Sequence, residues 1–195
     1  MENLNIMIVG VGGQGTLLTS RIIGKTALSA GYDVKLSEVH GMAQRGGSVV
    51  TFVRFGKEVK EPVVEEGAVD VLIAFERLEA LRYAHFLKKD GKLIVNDCRI
   101  DPMTVVIGTS SYPENIIETL KKEHDTMVID SQKTSIELGN PKVLNTVVLG
   151  ASAKVIGFSK EQWIETVKKT VPPKTVEVNE KAFLAGYESI KKKED

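Results

Sequence analysis

The sequence has little of what marks a disulfide-bonded, metal-binding or strongly charged protein. Its single cysteine, Cys98, excludes an internal disulfide and any zinc or iron–sulfur site built from several cysteines. The 26 Lys and Arg residues balance 26 Asp and Glu residues, so no net field attracts nucleic acid or an anionic membrane. Apolar runs stay shorter than a bilayer span and no signal peptide is visible, so a cytoplasmic protein is expected.

Apolar segments that alternate with helical patterns predict a three-layer α/β/α, Rossmann-like domain with a mainly parallel sheet. A strand at 4–9, a helical pattern ending near Gly31 and a strand at 33–39 predict a strand–helix–strand unit. A β-hairpin insertion is predicted from 48–55 and 58–64, with its turn at Gly56-Lys57-Glu58. The remaining predicted strands are 69–75, 92–97, 103–107 and 126–130.

The last third of the chain is predicted to be helical. Asn140-Pro141 is typical of a helix start with proline in the first turn. Ser159 and Gln162 have the spacing of a capping box, and Pro172-Pro173 predicts the end of that helix. Earlier helices are predicted over 76–88, before a turn at Asp90-Gly91, and over 113–123.

The segment Gly10-Val11-Gly12-Gly13-Gln14-Gly15 is spelled like a dinucleotide-binding fingerprint. Its glycines permit a tight strand-to-helix turn whose free N–H groups, at a helix N-terminus, favour anions. Glu38, at the end of the second predicted strand, stands where such folds hold a ribose hydroxyl. A tight turn that only packs the helix on the sheet explains the same glycines.

A second loop follows the second strand and gathers His40, Gln44 and Arg45 between Gly41 and the pair Gly46-Gly47. The Arg45 guanidinium suits a carboxylate or a phosphate. Both loops follow strands that end at the same edge of the sheet, where open α/β folds bind ligands. We therefore expect residues 38–47 to bind or contact a partner, the alternative being a structural loop with a buried arginine.

The segments GVGGQGTLL, SEVHGMAQRGGSVVTFVR and VPPKTVEVNEKAFLAGYE resemble the gamma-type domain of the 2-oxoacid:ferredoxin oxidoreductases over nearly the whole chain. The spelling HGMAQRGG is similar to the small, beta subunit of the indolepyruvate branch, although Phe52 stands where that branch often carries histidine. The resemblance implies one gamma-type domain over residues 1–195. It also implies a subunit that is inactive alone.

In such complexes a 2-oxoacid, coenzyme A and oxidised ferredoxin give an acyl-CoA, carbon dioxide and reduced ferredoxin. The resemblance implies that a large partner subunit holds thiamine diphosphate, magnesium and the iron–sulfur clusters, with ferredoxin as electron acceptor. This sequence carries neither a cluster's cysteines nor the GDG-type signature of thiamine enzymes. Coenzyme A at the subunit interface is compatible with the anion-binding loop.

We hypothesise that residues 10–15 and 38–47 face the large subunit near its active site. Arg45, Gln44 and His40 would there shape the path of the substrate or of coenzyme A. Two other classes stay open at this point: a self-sufficient Rossmann enzyme that uses NAD or FAD, and an adenylating enzyme that binds ATP. Tight binding of NADH or ATP by the isolated chain would favour one of these two classes over the subunit hypothesis.

Overall fold

A six-stranded sheet in the order β2-β3-β1-β4-β5-β6 forms the centre of the computed structural model, which describes residues 3–41 and 46–190. The strands are β1 (Leu4–Val11), β2 (Asp33–His40), β3 (Ser48–Gly56), β4 (Val69–Ala74), β5 (Leu87–Asn96) and β6 (Asp125–Ile129). Strand β3 is antiparallel to both of its neighbours, whereas β1, β4, β5 and β6 pair in parallel. The sheet is therefore mainly parallel, as the alternating pattern predicts.

Helices cover both faces of the sheet. They are α1 (Thr16–Ser29), α2 (Arg77–Tyr83), α3 (Met103–Val106), α4 (Ile116–Glu123), α5 (Ser131–Glu137), α6 (Leu144–Ile156), α7 (Lys160–Thr170) and α8 (Val176–Ser189). Ile6 and Ile8 of β1 join the apolar cluster under α1, α6, α7 and α8, whereas Met7 and Val9 join the cluster under α2 and α4. The predicted α/β/α layering is confirmed. Over residues 3–41 and 46–190, none of the helices has both the length and the apolar composition that crossing a membrane requires.

The hairpin lies elsewhere than predicted. Residues 57–68 form no strand, so the predicted return strand at 58–64 is wrong. Arg54 instead holds this segment in an irregular course, because its Nη1 donates to the carbonyls of Glu61 (3.0 Å) and Val63 (2.9 Å). The hairpin is formed by β2 and β3, and β3 also pairs with β1. Strands β1 and β2 of the predicted strand–helix–strand unit are therefore parallel but not adjacent.

Local propensity also misplaces three elements before residue 130. The β-branched residues at 103–107 predict a strand, but these residues have no sheet partner among the described strands and form α3 instead. At the start of α3 the N–H groups of Val105 and Val106 donate to the Pro102 carbonyl. The helix predicted over 76–88 ends with a 3₁₀ turn at Phe86, and Asp90-Gly91 lies inside β5 instead of forming a turn. The sequence patterns do not predict helix α5.

The predicted helix starts in the last third are confirmed. The Asn140 side chain accepts from the Lys142 N–H (3.0 Å) at the start of a 3₁₀ turn, Pro141–Val143, that leads into α6. The Ser159 and Gln162 side chains form the complete capping box of α7, which ends at Thr170 before the two prolines. A 3₁₀ turn, Pro173–Thr175, then leads into α8.

Helices α6 and α8 cross in direct backbone contact, which depends on two glycines. A Cβ atom at Gly150 would overlap the Phe183 carbonyl, and one at Gly186 would overlap the Val147 carbonyl. Alanine at either position would therefore push the two helices apart.

We expect Gly150→Ala to lower the free energy of unfolding by about 1–3 kcal/mol, because the added methyl overpacks the helix crossing. Gly24→Ala in α1 is the matched control, since its Cβ would meet only Val34 Cγ1 at an ordinary 3.6 Å. That control should gain up to about 1 kcal/mol from helix propensity. Urea unfolding measures both; equal effects of the two variants would contradict the close crossing.

Candidate functional site

An open cleft of about 450 Å³ lies where the carboxyl ends of β1 and β2 meet the N-terminus of α1. It is lined by both loops that the sequence singles out and by the neighbouring strand and helix ends: Gly12, Gly13, Gly15, Thr16, Leu17, Glu38, His40 and Val49. The structure thus brings the glycine loop and the end of β2 together at one edge of the sheet. We call this edge, where β1, β2, β4, β5 and β6 end, the carboxyl edge.

The N-terminus of α1 opens onto this cleft. Gly15 precedes the helix in the left-handed conformation (φ 85°), and neither a side-chain cap nor an acidic residue occupies the first turn. A Cβ atom at Gly15 would lie 2.8 Å from Asn145 Nδ2, so a side chain would be both strained and crowded there. The first N–H groups of a helix lack intrahelical acceptors and carry partial positive charge. This end of the cleft is therefore suited to an anion.

The Gln14 side chain turns away from the cleft and braces the loop. Its Oε1 accepts from the Val11 N–H (2.7 Å) and its Nε2 donates to the Phe75 carbonyl at the end of β4 (2.9 Å). A Cβ atom at Gly10 would lie 2.9 Å from both Gln14 Oε1 and Phe75 Cβ, so only glycine leaves room for the brace. Gly10 and Gln14, predicted to face a ligand, thus shape the loop from behind.

The Phe75 carbonyl accepts a second hydrogen bond from a side-chain amide. Asn96 Nδ2 of β5 donates to it (3.1 Å), and Asn96 Oδ1 accepts from the Ser131 N–H at the start of α5 (3.0 Å). The Phe75 N–H in turn donates to the Val9 carbonyl of β1 (2.9 Å). The ends of β1, β4 and β5 are therefore joined through the backbone N–H and carbonyl of one residue, Phe75.

Glu38 and His40 line the opposite wall of the cleft, on β2. Thr51 Oγ1 of β3 lies 3.5 Å from Glu38 Oε2, and His40 Nδ1 lies 3.0 Å from the Gly41 carbonyl. In the Rossmann order the second strand lies beside the first, whereas here β3 separates them, which adds about 5 Å. The carboxylate thus stands one strand further from the glycine loop than the ribose-binding residue of a dinucleotide fold.

The second loop connects directly to the glycine loop at its C-terminal end. The Gly12 N–H donates to the Gly47 carbonyl (2.9 Å), and Gly46 lines a separate cavity of about 50 Å³ with Ser48 and Glu79. Gln44 and Arg45, predicted to contact a ligand, lie outside the described residues. Their contribution to the cleft stays a prediction from the sequence.

Two buried carboxylates behind the loops were missed by the sequence analysis. Glu76, 1% exposed, accepts from the N–H groups of Glu79 (2.9 Å) and Ile100 (3.2 Å) and from the Tyr112 hydroxyl (2.5 Å). Glu79, 4% exposed, accepts from Ser48 Oγ at the start of β3 (2.5 Å). Glutamate directly after the predicted strand 69–75, repeated three residues later, was the available signal.

Burial raises the pKa of three groups in this region. It raises the pKa of Glu79, with the neighbouring Glu76 adding to the effect and Ser48 and Arg82 (Nη1 at 3.3 Å) opposing it. Burial and the hydrogen bond to Glu76 raise the pKa of Tyr112. Burial likewise raises the pKa of the Cys98 thiol, which disfavours the reactive thiolate.

In the ranges 3–41 and 46–190, no group of three or more His, Cys, Asp or Glu side chains is arranged so that it could hold a metal ion. A four-iron cluster takes four cysteines, and this sequence has one. The residues present therefore do not fit such a cluster.

Comparison with known proteins gives a consistent family. The model of the pyruvate ferredoxin/flavodoxin oxidoreductase family matches residues 5–189. The chain is 44% identical over 199 residues to indolepyruvate oxidoreductase subunit IorB of Thermococcus kodakarensis, with 98% of each chain covered. It is 29% identical over 190 residues to the pyruvate/ketoisovalerate oxidoreductases common subunit gamma of Pyrococcus abyssi, covering 95% of this chain and 96% of that one.

A solved structure supports the same assignment. The keto/oxoacid ferredoxin oxidoreductase gamma subunit from Geobacter sulfurreducens superposes with a TM-score of 0.71 at 28% identity, covering 95% of this chain and 96% of that one. The shared fold thus extends over nearly the full length of both chains.

Gln14→Ala should lower the free energy of unfolding by about 1–3 kcal/mol, because the Val11 N–H loses its acceptor in a buried position. Hydrogen exchange should also accelerate at Val11. Gln132→Ala, on the surface of α5, is the matched control and should change neither. An unchanged Val11 exchange rate in Gln14→Ala would show that the brace is dispensable.

The raised pKa of Glu79 predicts a stability that depends on pH. At a pH just above about 4.3, Glu79 of the folded chain still binds a proton that the unfolded chain has released. The contribution of this group to the free energy of unfolding is therefore present in acid and is lost as the pH rises. Glu79→Gln cannot ionise, so its free energy of unfolding relative to the parent should increase between about pH 4 and pH 7.

Glu165→Gln provides a control of opposite sign, because Lys169 lowers the pKa of Glu165 on the exposed face of α7. Its free energy of unfolding relative to the parent should fall over the same pH range. Urea unfolding across that range measures both variants, and parallel curves for the two would contradict the assignment.

Proposed function

The chain belongs to the pyruvate ferredoxin/flavodoxin oxidoreductase family, and we propose that it serves there as the small subunit of an indolepyruvate oxidoreductase. The observation that carries this proposal is the 44% identity to an indolepyruvate subunit over 98% of both chains, against 29% to a pyruvate/ketoisovalerate subunit. The loop spelling HGMAQRGG supports the same branch. The reaction is the oxidative decarboxylation of an aryl pyruvate to its acyl-CoA, with two electrons passed singly to two ferredoxins.

The large partner subunit supplies the redox chemistry in this proposal. A single cysteine and the lack of a thiamine signature in these 195 residues support placing thiamine diphosphate, magnesium and the iron–sulfur clusters on that partner. This chain's residues would then bind, orient and enclose substrates instead of reacting with them.

The cleft at the carboxyl edge is the surface we assign to that task. Its helix N-terminus suits one phosphate group of coenzyme A, and the Glu38 carboxylate and His40 ring suit hydroxyl or amide groups. Arg45 precedes Ser48, the first residue of β3, by three positions in the sequence. Its guanidinium would attract an anionic substrate. It would also offset the negative charge of the Glu38 carboxylate.

A self-sufficient NAD or FAD enzyme is supported less well. The intervening strand β3 moves Glu38 away from the position of a ribose-binding carboxylate, and the family match points to a subunit. The family match likewise favours an oxidoreductase subunit over an adenylating enzyme.

Reconstitution with the large subunit tests the proposal. The complex should reduce ferredoxin with indolepyruvate and coenzyme A, with a higher kcat/KM for indolepyruvate than for 2-oxoglutarate, and this chain alone should be inactive. Arg45→Ala should raise the KM for coenzyme A or for the oxoacid about tenfold or more, as expected for loss of a charged hydrogen bond.

Arg21→Ala, on the exposed surface of α1, is the matched control and should leave both KM values unchanged. If Arg45→Ala leaves assembly and both KM values unchanged, the assigned role of the 38–47 loop is wrong. Preference for 2-oxoglutarate over indolepyruvate would contradict the substrate assignment.

A further inference from the structure

The segment between β5 and α4 presents an apolar surface that the cleft does not use. Met103, Val106 and Ile107, in and directly after α3, are 71%, 66% and 63% exposed, and α3 buries none of its residues. We call these three residues the α3 patch. Residues 102–113 carry no charged side chain, in a chain of which 27% is charged.

The α3 patch is held in place by a buried group. Glu76 accepts from the Ile100 N–H before the patch (3.2 Å) and from the Tyr112 hydroxyl after it (2.5 Å), so one carboxylate fixes both ends of the segment. The Arg99 guanidinium lies 4.4 Å from the centre of the Tyr112 ring. Within the segment, Thr109 Oγ1 and the Ser110 N–H both donate to the Thr104 carbonyl (3.0 Å each).

Ordering of this kind has a physical meaning. Burying a carboxylate is costly, and here the hydrogen bonds that compensate it position a loop whose apolar side chains remain in water. A loop that merely connected β5 to α4 would gain nothing from exposing three large apolar residues. A preorganised apolar surface instead lowers the entropic cost of association.

The position of the α3 patch links it to the proposed site. Ile100 and Pro102, which lead into α3, line the small cavity together with Val11, Gly46 and Ser48. Those residues belong to the glycine loop, the second loop and the start of β3. The α3 patch therefore lies on the same carboxyl edge as the cleft.

We propose that the α3 patch is part of the docking surface for the large subunit, an inference that rests on the proposed function. The occupant is an apolar surface of that subunit adjacent to its active site, because the α3 patch lies on the same carboxyl edge as the cleft assigned to face that subunit. Cores of protein interfaces are depleted of charge, as the 102–113 segment is. A second copy of this chain is the competing occupant.

Binding of the full chain to its purified large subunit tests the docking surface. In titrations of the fluorescently labelled chain, Val106→Asp/Ile107→Asp should raise the Kd about 100-fold or more, since each charge must be desolvated at an apolar contact. Leu28→Asp is the matched control: Leu28 is 58% exposed but lies in the last turn of α1, at the opposite edge of the sheet. It should bind like the parent.

The milder pair Val106→Ser/Ile107→Ser guards against misfolding, because it adds no charge and should still weaken binding about tenfold. Circular dichroism and the thermal midpoint of all variants should match the parent, as expected for exposed positions. Unchanged Kd values in both double variants would overturn the inference while leaving the proposed function intact. Loss of self-association without loss of binding to the large subunit would overturn it in favour of a second copy.

Failure of the parent chain to bind the large subunit would overturn the proposed function together with this inference. Binding of the parent, with the loss confined to the α3 patch variants, would support both. Binding of the parent chain thus distinguishes failure of the docking surface from failure of the subunit assignment.

Discussion

The carbonyl of Phe75 is the point on which the site depends. It accepts hydrogen bonds from the side-chain amides of Gln14 and Asn96, while the N–H of the same residue donates to the Val9 carbonyl. Three strand ends and the start of α5 are thereby fixed relative to one another. Because Gln14 also satisfies the Val11 N–H, the glycine loop is held in one conformation before any ligand or partner arrives. The geometry of the cleft and of the start of α1 depends on these hydrogen bonds at Phe75.

The second constraint is the hairpin of β2 and β3. By placing an antiparallel strand between β1 and β2, it widens the space that a dinucleotide fold would close around a ribose. The same hairpin brings Ser48 onto the buried Glu79 and the Gly47 carbonyl onto the Gly12 N–H. A fingerprint typical of cofactor binding thus lies on the carboxyl edge, which extends from the cleft to the α3 patch.

Much of this fold could be predicted from local patterns. The alternation of elements, the caps at Asn140 and Ser159, and the common location of the two loops all follow from spacing within a few residues. The brace of Gln14 could not, because its partner Phe75 is 61 positions away. Local patterns also do not show which strands pair in the sheet. For this reason they predict neither the pairing of β3 with β1 nor the helical state of residues 103–107. Glu76 resembled an ordinary helix-starting residue, and its bond from the Glu79 N–H is such a local cap. Only tertiary contacts reveal the other two donors, the Ile100 N–H and the Tyr112 hydroxyl.

Hydrogen exchange of the chain, free and bound to its large subunit, tests most directly whether the carboxyl edge is the interface. Complex formation should slow exchange in the loops at 11–17, 38–41 and 100–112. Exchange should stay unchanged at 30–32 and 121–124, which lie at the opposite edge of the sheet. Protection confined to the opposite edge, with the carboxyl edge exchanging as in the free chain, would contradict this account.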